Sequence, residues 1–319
     1  MHQRENALHQ WLEEVLATNQ YQLVPLTGDA SFRRYFRLHQ EKGTRIVMDA
    51  PPMKEDIAPF IAVAKLLQAL EVQTPTVHAF DKKQGFALLD DFGDTLLLNQ
   101  LTDQTSDFFY TEAMKVLTRL QVKAPQLPVF DKAFILQELA VFREWFLQSY
   151  LQLNLSDKEE ILLEKTFDLI SEALLQQPRV LIHRDFHSRN IMLNHNTLGI
   201  IDFQDAMQGP FTYDLVSLLK DCYIQWPIEK VLHWVDFFYK QTPLTQQYSW
   251  PDFVRAFDYC GLQRHLKVLG VFSRLHLRDN KSGYLKDLPL TLHYVMACLE
   301  GHEELQPFYS FMQSRIDLP

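Results

Sequence analysis

Residues 180–205, VLIHRDFHSRNIMLNHNTLGIIDFQD, combine short apolar runs with a dense group of polar loop residues. The apolar runs at 180–182 and 191–193 have the composition of short strands. The loop 183–190 separates them, and turn formers at 194–197 precede a third apolar run that ends at Asp202. The pattern therefore predicts that Asp185, Asn190 and Asp202 lie at the ends of neighbouring short strands.

The spacing of these three polar residues points to phosphoryl transfer. Asp185 and Asn190 are five residues apart, as in the kinase loop H-R-D-x-x-x-x-N, and Asp202 follows twelve residues later. Phosphoryl transfer needs a carboxylate that orients a hydroxyl group and accepts its proton, which suits Asp185. It also needs hard oxygen ligands for Mg²⁺, which suits Asn190 and Asp202. The joint pattern outweighs the alternative that the three are only turn and strand-end residues.

HRDFHSRN at 183–190, followed by IDFQD at 201–205, resembles the signature of the aminoglycoside phosphotransferase and choline kinase family. Within it, the chain is most similar to the anomeric kinases of N-acetylmuramate and N-acetylglucosamine in cell-wall recycling. GDASFRRYFR at 28–37, MDAPP at 48–52 and residues 183–223 carry that closer similarity. The resemblance implies an α+β, protein-kinase-like two-lobe fold with a small antiparallel-sheet lobe and a larger, mainly helical lobe. Residues 1–91 would be the nucleotide-binding lobe with its hinge, and residues 92–319 the catalytic and acceptor-binding lobe.

The same resemblance implies an enzyme that uses ATP and Mg²⁺ to convert an amino sugar into its 1-phosphate. Asp185 would be the catalytic base, and Asn190 and Asp202 the metal ligands. The residues expected to bind the nucleotide are Gly28, Ser31, Arg33, Arg34, Leu88 and Asp91. The residues expected on the acceptor side are His187, Arg189 and Asp205. His183 and Asp214 would support the loop without contacting the substrates.

One departure from protein kinases concerns the cation that binds the nucleotide phosphates. The strand predicted at 44–48 has no lysine, and Met48 precedes Asp49 at its end. Arginine can bind phosphate through two hydrogen bonds and can replace that lysine. The candidates are Arg33, Arg34, Arg37 and Arg45, and we favour the first two.

Composition excludes several other classes of protein. The chain has 31 Lys and Arg against 40 Asp and Glu, a net charge of -9, which disfavours nonspecific nucleic-acid binding. Its three cysteines are far apart, so we expect neither a disulfide framework nor a zinc site. We see neither a signal peptide at the N-terminus nor a run long enough to cross a membrane. These features predict a cytoplasmic location.

Other segments give local predictions. Residues 5–17 predict an amphipathic helix whose apolar side, which includes Trp11 and Val15, packs on the small lobe. Residues 156–159 match a helix capping box. The basic residues between 263 and 278 predict a solvated helix face, with contact to an anionic group of the acceptor as the alternative. We expect His187 to be exposed or near the acceptor, and His195 to be a turn residue.

Two alternative functions stay open at this point. The same chemistry could serve an aminoglycoside, a choline-like amine or another small alcohol. A cationic acceptor predicts acidic surroundings, whereas N-acetylmuramate predicts at least one Arg or Lys there. A nucleotide-binding pseudokinase that acts as an interaction module would explain the missing lysine, but the intact Asp185, Asn190 and Asp202 argue against it.

Overall fold

The computed structural model describes residues 2–26, 32–194 and 197–316. These residues divide into two compact units. The first unit comprises the described residues up to Asn99 together with Asn190–Asp205, and the second comprises Gln100–Arg189 and the described residues from Ala206 onward. The expected lobe boundary after Asp91 depends on where the nucleotide and the acceptor bind, and it stays a prediction.

The described residues form ten α-helices and nine strands. The helices are α1 (His2–Leu16), α2 (Ala58–Ala69), α3 (Ser106–Leu120), α4 (Lys132–Val141), α5 (Asp157–Leu175), α6 (Tyr213–Leu219), α7 (Ile228–Gln241), α8 (Trp250–Leu277), α9 (Leu288–Glu300) and α10 (Gln306–Arg315). The strands are β1 (Gln22–Leu26), β2 (Arg34–Gln40), β3 (Gly43–Asp49), β4 (Val77–Asp81), β5 (Phe86–Asp90), β6 (Arg179–Ile182), β7 (Ile191–Asn194), β8 (Thr197–Ile200) and β9 (Met207–Pro210). None of the described helices combines the length and apolar character needed to cross a bilayer.

The first unit is built on a five-stranded antiparallel sheet in the order β1-β2-β3-β5-β4. Helix α1 covers one face of it, which confirms the predicted packing helix. Leu8, Trp11 and Leu12 enter the core with Val47 and Phe86. The prediction that Val15 belongs to the buried stripe is wrong, because this residue is 38% exposed.

The MDAPP segment is fixed to the sheet through a glycine. The Ala50 N–H donates to the Gly85 carbonyl over 2.8 Å. Gly85 has a φ of +73°, and a Cβ atom there would lie 1.9 Å from the Ala50 carbonyl oxygen. Only glycine satisfies both the backbone conformation and the close approach. This contact fixes the direction in which the chain leaves β3.

The strands of the 180–205 stretch pair differently from the prediction. β6 pairs with β9, and β7 pairs with β8 in a separate hairpin, so β6 and β7 are not neighbours in one sheet. The prediction missed β9 because its sequence, MQGP, has neither alternation nor β-branched residues. β7 and β8 belong to the first unit, and β6 and β9 to the second.

The second unit is mainly helical. The predicted capping box is present at the start of α5, where the Glu159 carboxylate accepts the Ser156 N–H over 2.8 Å. The helix predicted at 133–151 is α4 followed by a π-helical segment, Phe142–Tyr150. Helix α8 contacts α4, α5, α6 and α9. Its backbone approaches α4 so closely that a Cβ at Gly270 would lie 2.4 Å from the Val141 carbonyl oxygen.

This central position overturns the prediction of a solvated basic face for the first part of the 263–278 run, whereas Arg278 at its end is exposed. Gln263, Arg264 and His265 are at most 3% exposed. Helices pack against α8 on several sides, so polar residues that look like a solvated face in the sequence lie among buried side chains.

Trp11→Ala tests the packing of α1 on the sheet. Removal of a buried indole should lower the free energy of unfolding by about 3–5 kcal/mol. The matched control is Val15→Ala on the same helix, where the exposed position predicts a change within about 0.5 kcal/mol. Calorimetry and urea unfolding followed by circular dichroism measure both. Equal effects of the two substitutions would show that α1 does not contribute to this core.

Candidate active site

Asp214, at the start of α6, holds the backbone of the 183–190 loop. Its two carboxylate oxygens accept the backbone N–H groups of His183 and Arg184 over 2.6 and 2.9 Å. Arg184 has a φ of +76°, a left-handed conformation that costs a non-glycine residue of order 1–3 kcal/mol unless its surroundings impose it. The two hydrogen bonds to a charged acceptor impose this turn directly before Asp185.

The Asp214 carboxyl group is buried in this position. Burial raises the pKa of Asp214 to about 6, although the charge of His183 and the two backbone hydrogen bonds oppose the rise. The carboxyl group is therefore mainly ionised at neutral pH. Asp214 lies where the sequence placed a supporting residue.

The sequence analysis missed a second carboxylate that holds the same loop. Asp221 follows α6 and is fully buried. One of its oxygens accepts both the Ser188 N–H over 3.0 Å and the Ser188 hydroxyl over 2.5 Å. The available signal was an Asp within the mostly apolar segment LLKDCY, because a buried carboxylate needs local donors. Asp214 and Asp221 thus fix the loop on both sides of Asp185.

Asp185 is half-buried and stays ionised. Burial raises the pKa of Asp185, but nearby positive charges lower it by more, to a value well below the usual range. The permanent charges among them belong to Lys267, Arg184 and Arg264. A carboxylate kept in this state can accept a hydrogen bond from a hydroxyl group at any physiological pH.

Glu138 positions two of these cations. Its carboxylate lies 2.7 Å from the Arg184 guanidinium and 3.3 Å from the Lys267 ammonium, and it accepts a hydrogen bond from Gln263 over 2.9 Å. The Glu138 side chain is only 9% exposed. Burial raises the pKa of Glu138, but the two cations lower it by more. The buried network fixes the charges around Asp185.

The histidines of the loop are packed rather than exposed. His183 is 1% exposed and lies edge-on to Phe186, which agrees with a structural residue beneath the loop. His187 is partly buried, because its ring packs edge-on against Tyr223 and its Nδ1 atom is buried, and its expected place on the acceptor side stays a prediction. Burial lowers the pKa of His187. The Arg189 guanidinium lies 4.7 Å from the centre of the Tyr223 ring. His195 lies outside the described residues.

In the first unit, the β7–β8 hairpin brings Asn190 and Asp202 to one end. Ile191 pairs with Ile200, and the Ile201 N–H donates to the Asn190 carbonyl over 3.1 Å. Asp202, the next residue, is exposed and has a φ of +61°. Two hard oxygen donors therefore lie at the same open end of the hairpin.

The residues after Asp202 fix its position. Phe203 is fully buried and stacks on Phe60 of α2, with 4.8 Å between the ring centres. The Gln204 amide donates to Asp202 over 3.0 Å and to Asp205 over 3.2 Å. In the described part of the chain, no group of three His, Cys, Asp or Glu residues could hold a metal by itself. The donor set present fits Mg²⁺, which takes few protein ligands and completes its shell with phosphate and water.

The residues predicted to bind the nucleotide differ in what holds them. Gly28 and Ser31 lie outside the described residues. Arg33 lies 3.0 Å from the Glu55 carboxylate, whereas Arg34 forms two hydrogen bonds with the buried Asp49. Arg4 of α1 donates to the same Asp49 carboxylate over 2.8 Å.

Leu88 and Asp91 are the two residues predicted to bind the nucleotide at the hinge. The Leu88 side chain belongs to the core and is 1% exposed, so a nucleotide would have to contact its backbone. The Asp91 side chain accepts the Gly93 N–H over 2.9 Å and binds the Arg37 guanidinium over 2.7 Å. Asp91 therefore shapes the turn that follows β5.

Asp214→Asn tests the anchor of the 183–190 loop. The amide keeps one acceptor oxygen but presents an NH₂ group to the second backbone N–H, so the free energy of unfolding should fall by about 1–3 kcal/mol. The control is Asp236→Asn, which removes an exposed ion pair with Lys240 and should change it by less than about 1 kcal/mol. Calorimetry at neutral pH compares the two variants. An unchanged Asp214→Asn stability would show that the loop does not depend on this carboxylate.

Comparison with known proteins identifies the family of this chain. The model of the phosphotransferase enzyme family matches residues 22–242. The N-acetylmuramate/N-acetylglucosamine kinase of Neisseria meningitidis serogroup B is 38% identical over 322 residues, with 97% of this chain and 95% of the relative covered. The protein of the same name from Pseudomonas aeruginosa is 39% identical over 291 residues, with 89% and 86% covered.

A solved structure supports the fold. The ADP-bound crystal structure of the aminoglycoside phosphotransferase APH(2'')-Ib has a TM-score of 0.61 and 16% sequence identity, with 90% of this chain and 97% of that chain covered. The predicted fold class, a small antiparallel sheet with a larger helical part, is confirmed. The family match spans more than half of the chain and the relatives cover nearly all of it, and therefore this protein belongs to the phosphotransferase enzyme family.

Proposed function

We propose that this protein is an ATP-dependent kinase that phosphorylates the anomeric hydroxyl group of N-acetylmuramate or N-acetylglucosamine, giving the sugar 1-phosphate. The observation that carries the chemistry is the 183–190 loop, in which two buried carboxylates fix the backbone on both sides of an ionised Asp185. The names of the relatives support the choice of acceptor.

In the proposed reaction, Asp185 accepts a hydrogen bond from the acceptor hydroxyl and orients its oxygen. As the new O–P bond forms, the bond between the γ-phosphorus and the ADP oxygen breaks, and the hydroxyl proton passes to Asp185. Such transfers depend mainly on positioning and charge neutralisation, and the rigid loop serves the first. His183 and Asp214 act through the loop, because neither needs to contact a substrate to hold it in place.

Asn190 and Asp202 would hold Mg²⁺ through their side-chain oxygens. When bound, the ion supplies positive charge to the phosphates of the nucleotide. The hairpin fixes both residues, and Gln204 restrains the Asp202 carboxylate by a hydrogen bond of 3.0 Å. The Asp205 carboxylate accepts a hydrogen bond from the same Gln204 amide. We propose that Asp205 also contacts the acceptor.

The charges around Asp185 favour an acceptor that is neutral or anionic. A cationic acceptor predicts acidic surroundings, whereas Arg184, Arg264 and Lys267 all act on this carboxylate. Glu138 is the partner of Arg184 and Lys267. The three cations suit N-acetylmuramate, whose lactyl group carries a carboxylate. Arg189 and His187, which both contact Tyr223, are the proposed acceptor-side residues of the loop.

We also infer a cytoplasmic location. Cys222, Cys260 and Cys298 are all buried as free thiols, as is usual for proteins of a reducing compartment.

The first test measures ADP release with Mg²⁺-ATP against N-acetylmuramate, N-acetylglucosamine, an aminoglycoside and choline. We expect turnover on the N-acetyl sugars and a phosphate on the anomeric oxygen by ³¹P NMR. Asp185→Asn should lower kcat by about 10³-fold or more while ATP binding persists. The control Asp236→Asn should retain full turnover. Turnover on the cationic acceptors alone would refute the proposed substrate, and an active Asp185→Asn enzyme would refute the proposed base.

Metal removal tests the roles of Asn190 and Asp202. EDTA should abolish turnover, and added Mg²⁺ should restore it, because the phosphates need a hard cation. Asp202→Asn should raise the Mg²⁺ concentration needed for half-maximal rate by about tenfold or more, since a charged ligand is lost. A normal Mg²⁺ requirement in that variant would place the metal elsewhere.

A further inference from the structure

The arginines on and beside β2 and β3 differ in the face of the sheet on which they lie. Leu38 and Arg45 are cross-strand partners, and so are Arg34 and Asp49. Cross-strand partners project to the same face, and Leu38 is buried on the face that α1 covers. Arg34 and Arg45 therefore lie on the α1 face, where Arg34 shares Asp49 with α1.

Arg37 projects to the opposite face, but two carboxylates bind it. Its guanidinium forms hydrogen bonds of 2.7 Å with Asp91 and 2.8 Å with Asp94. These bonds tie Arg37 to the turn that follows β5. Its charge thus stabilises that turn.

Arg33 is also paired with a carboxylate, but that carboxylate lies just before α2. The Arg33 side chain is only 8% exposed and lies 3.0 Å from the Glu55 carboxylate. It is also hydrogen-bonded to the Tyr35 side chain. Burial raises the pKa of the Tyr35 hydroxyl to about 12, with the charge of Arg33 lowering it and the charges of Asp202 and Glu55 raising it. Arg33 and Asp202 belong to the same compact unit.

Residues 55–60 restrain both Arg33 and Asp202. Glu55, which binds Arg33, is three residues before the start of α2. Phe60 in the first turn of α2 stacks on Phe203, the residue after Asp202. The segment from Glu55 to Phe60 thus fixes Arg33 through an ion pair and Asp202 through an aromatic contact.

We propose that Arg33, held by Glu55 in the same compact unit as Asp202, supplies to the nucleotide phosphates the positive charge that β3 lacks. Arg33 is the phosphate-binding residue, and Glu55 is a positioning residue that acts through it. The guanidinium can bind two phosphate oxygens at once, which a lysine ammonium does not do in the same fixed geometry. The inference rests on the proposed kinase function and names the cation of its nucleotide site.

Nucleotide binding by Arg33 variants tests this proposal. Arg33→Met removes the charge and keeps an apolar stem, Arg33→Gln is a second uncharged variant, and Arg33→Lys keeps the charge. Lys65→Met, at an exposed position on α2, is the charge-matched control. Isothermal titration measures the affinity of each full-length variant for Mg²⁺-ATP and for adenosine, and steady-state kinetics measures kcat and both KM values.

We expect Arg33→Met and Arg33→Gln to weaken ATP binding by about 10–100-fold, the value of a hydrogen bond to a charged group. Adenosine affinity and the acceptor KM should stay unchanged, because neither ligand carries the phosphates that Arg33 contacts. Arg33→Lys should recover most of the ATP affinity, and Lys65→Met should match the wild type. A purely structural role would instead affect ATP and adenosine alike, and circular dichroism verifies folding.

The outcomes separate this proposal from the proposed function. ATP affinity that is unchanged in both uncharged variants would overturn the role of Arg33 even if the wild type phosphorylates N-acetyl sugars. Equal losses for ATP and adenosine would overturn it as well. A selective loss of ATP affinity, with no sugar phosphorylated by the wild type, would support Arg33 and refute the proposed acceptor. A wild type that binds no nucleotide would refute both.

Discussion

The interaction on which the site depends is the pair of hydrogen bonds from the His183 and Arg184 backbone to the buried Asp214 carboxylate. A carboxylate without partners would not remain ionised in that position, and the left-handed Arg184 would not keep its conformation without an acceptor. The ionised Asp214 carboxylate therefore requires the two backbone donors, and the conformation of Arg184 requires the carboxylate. The direction of the chain at Asp185 follows from it, and the bonds from Ser188 to Asp221 fix the chain beyond.

Buried carboxylates have the same organising role elsewhere in both units. Asp49 is fully buried and joins α1 to β2 through Arg4 and Arg34. Glu138 joins α4 to α8 and to the 183–190 loop through Lys267 and Arg184. Each of these buried carboxylates has two cationic partners, which together compensate the buried charge. Each group therefore fixes the geometry of its cations, and in Glu138 that geometry sets the charge around Asp185.

The end of the β7–β8 hairpin that carries Asn190 and Asp202 depends on apolar contacts as much as on polar ones. Asp202 has a strained backbone and an exposed side chain, and its neighbour Phe203 is anchored on Phe60. The buried phenyl ring gives an otherwise solvated residue a fixed position. The Gln204 amide then orients the Asp202 carboxylate. This combination of an apolar anchor and one hydrogen bond keeps the oxygen accessible to a ligand while it limits the movement of that oxygen.

The sequence by itself determined the elements whose signals are local. The spacing of Asp185, Asn190 and Asp202, the capping box at Ser156 and the apolar side of α1 all depend on residues a few positions apart, and the structure shows the capping box and α1 where they were predicted. Only the tertiary structure decided the pairing of β6 with β9, the burial of the polar residues of α8 and the contact of Asp221 with Ser188. It also distinguished Arg33 from the neighbouring arginines, because their carboxylate partners come from distant parts of the chain. Periodicity and spacing indicate on which face of a helix or strand a residue lies. Long-range packing decides which residues contact that face, and no local pattern in the sequence encodes it.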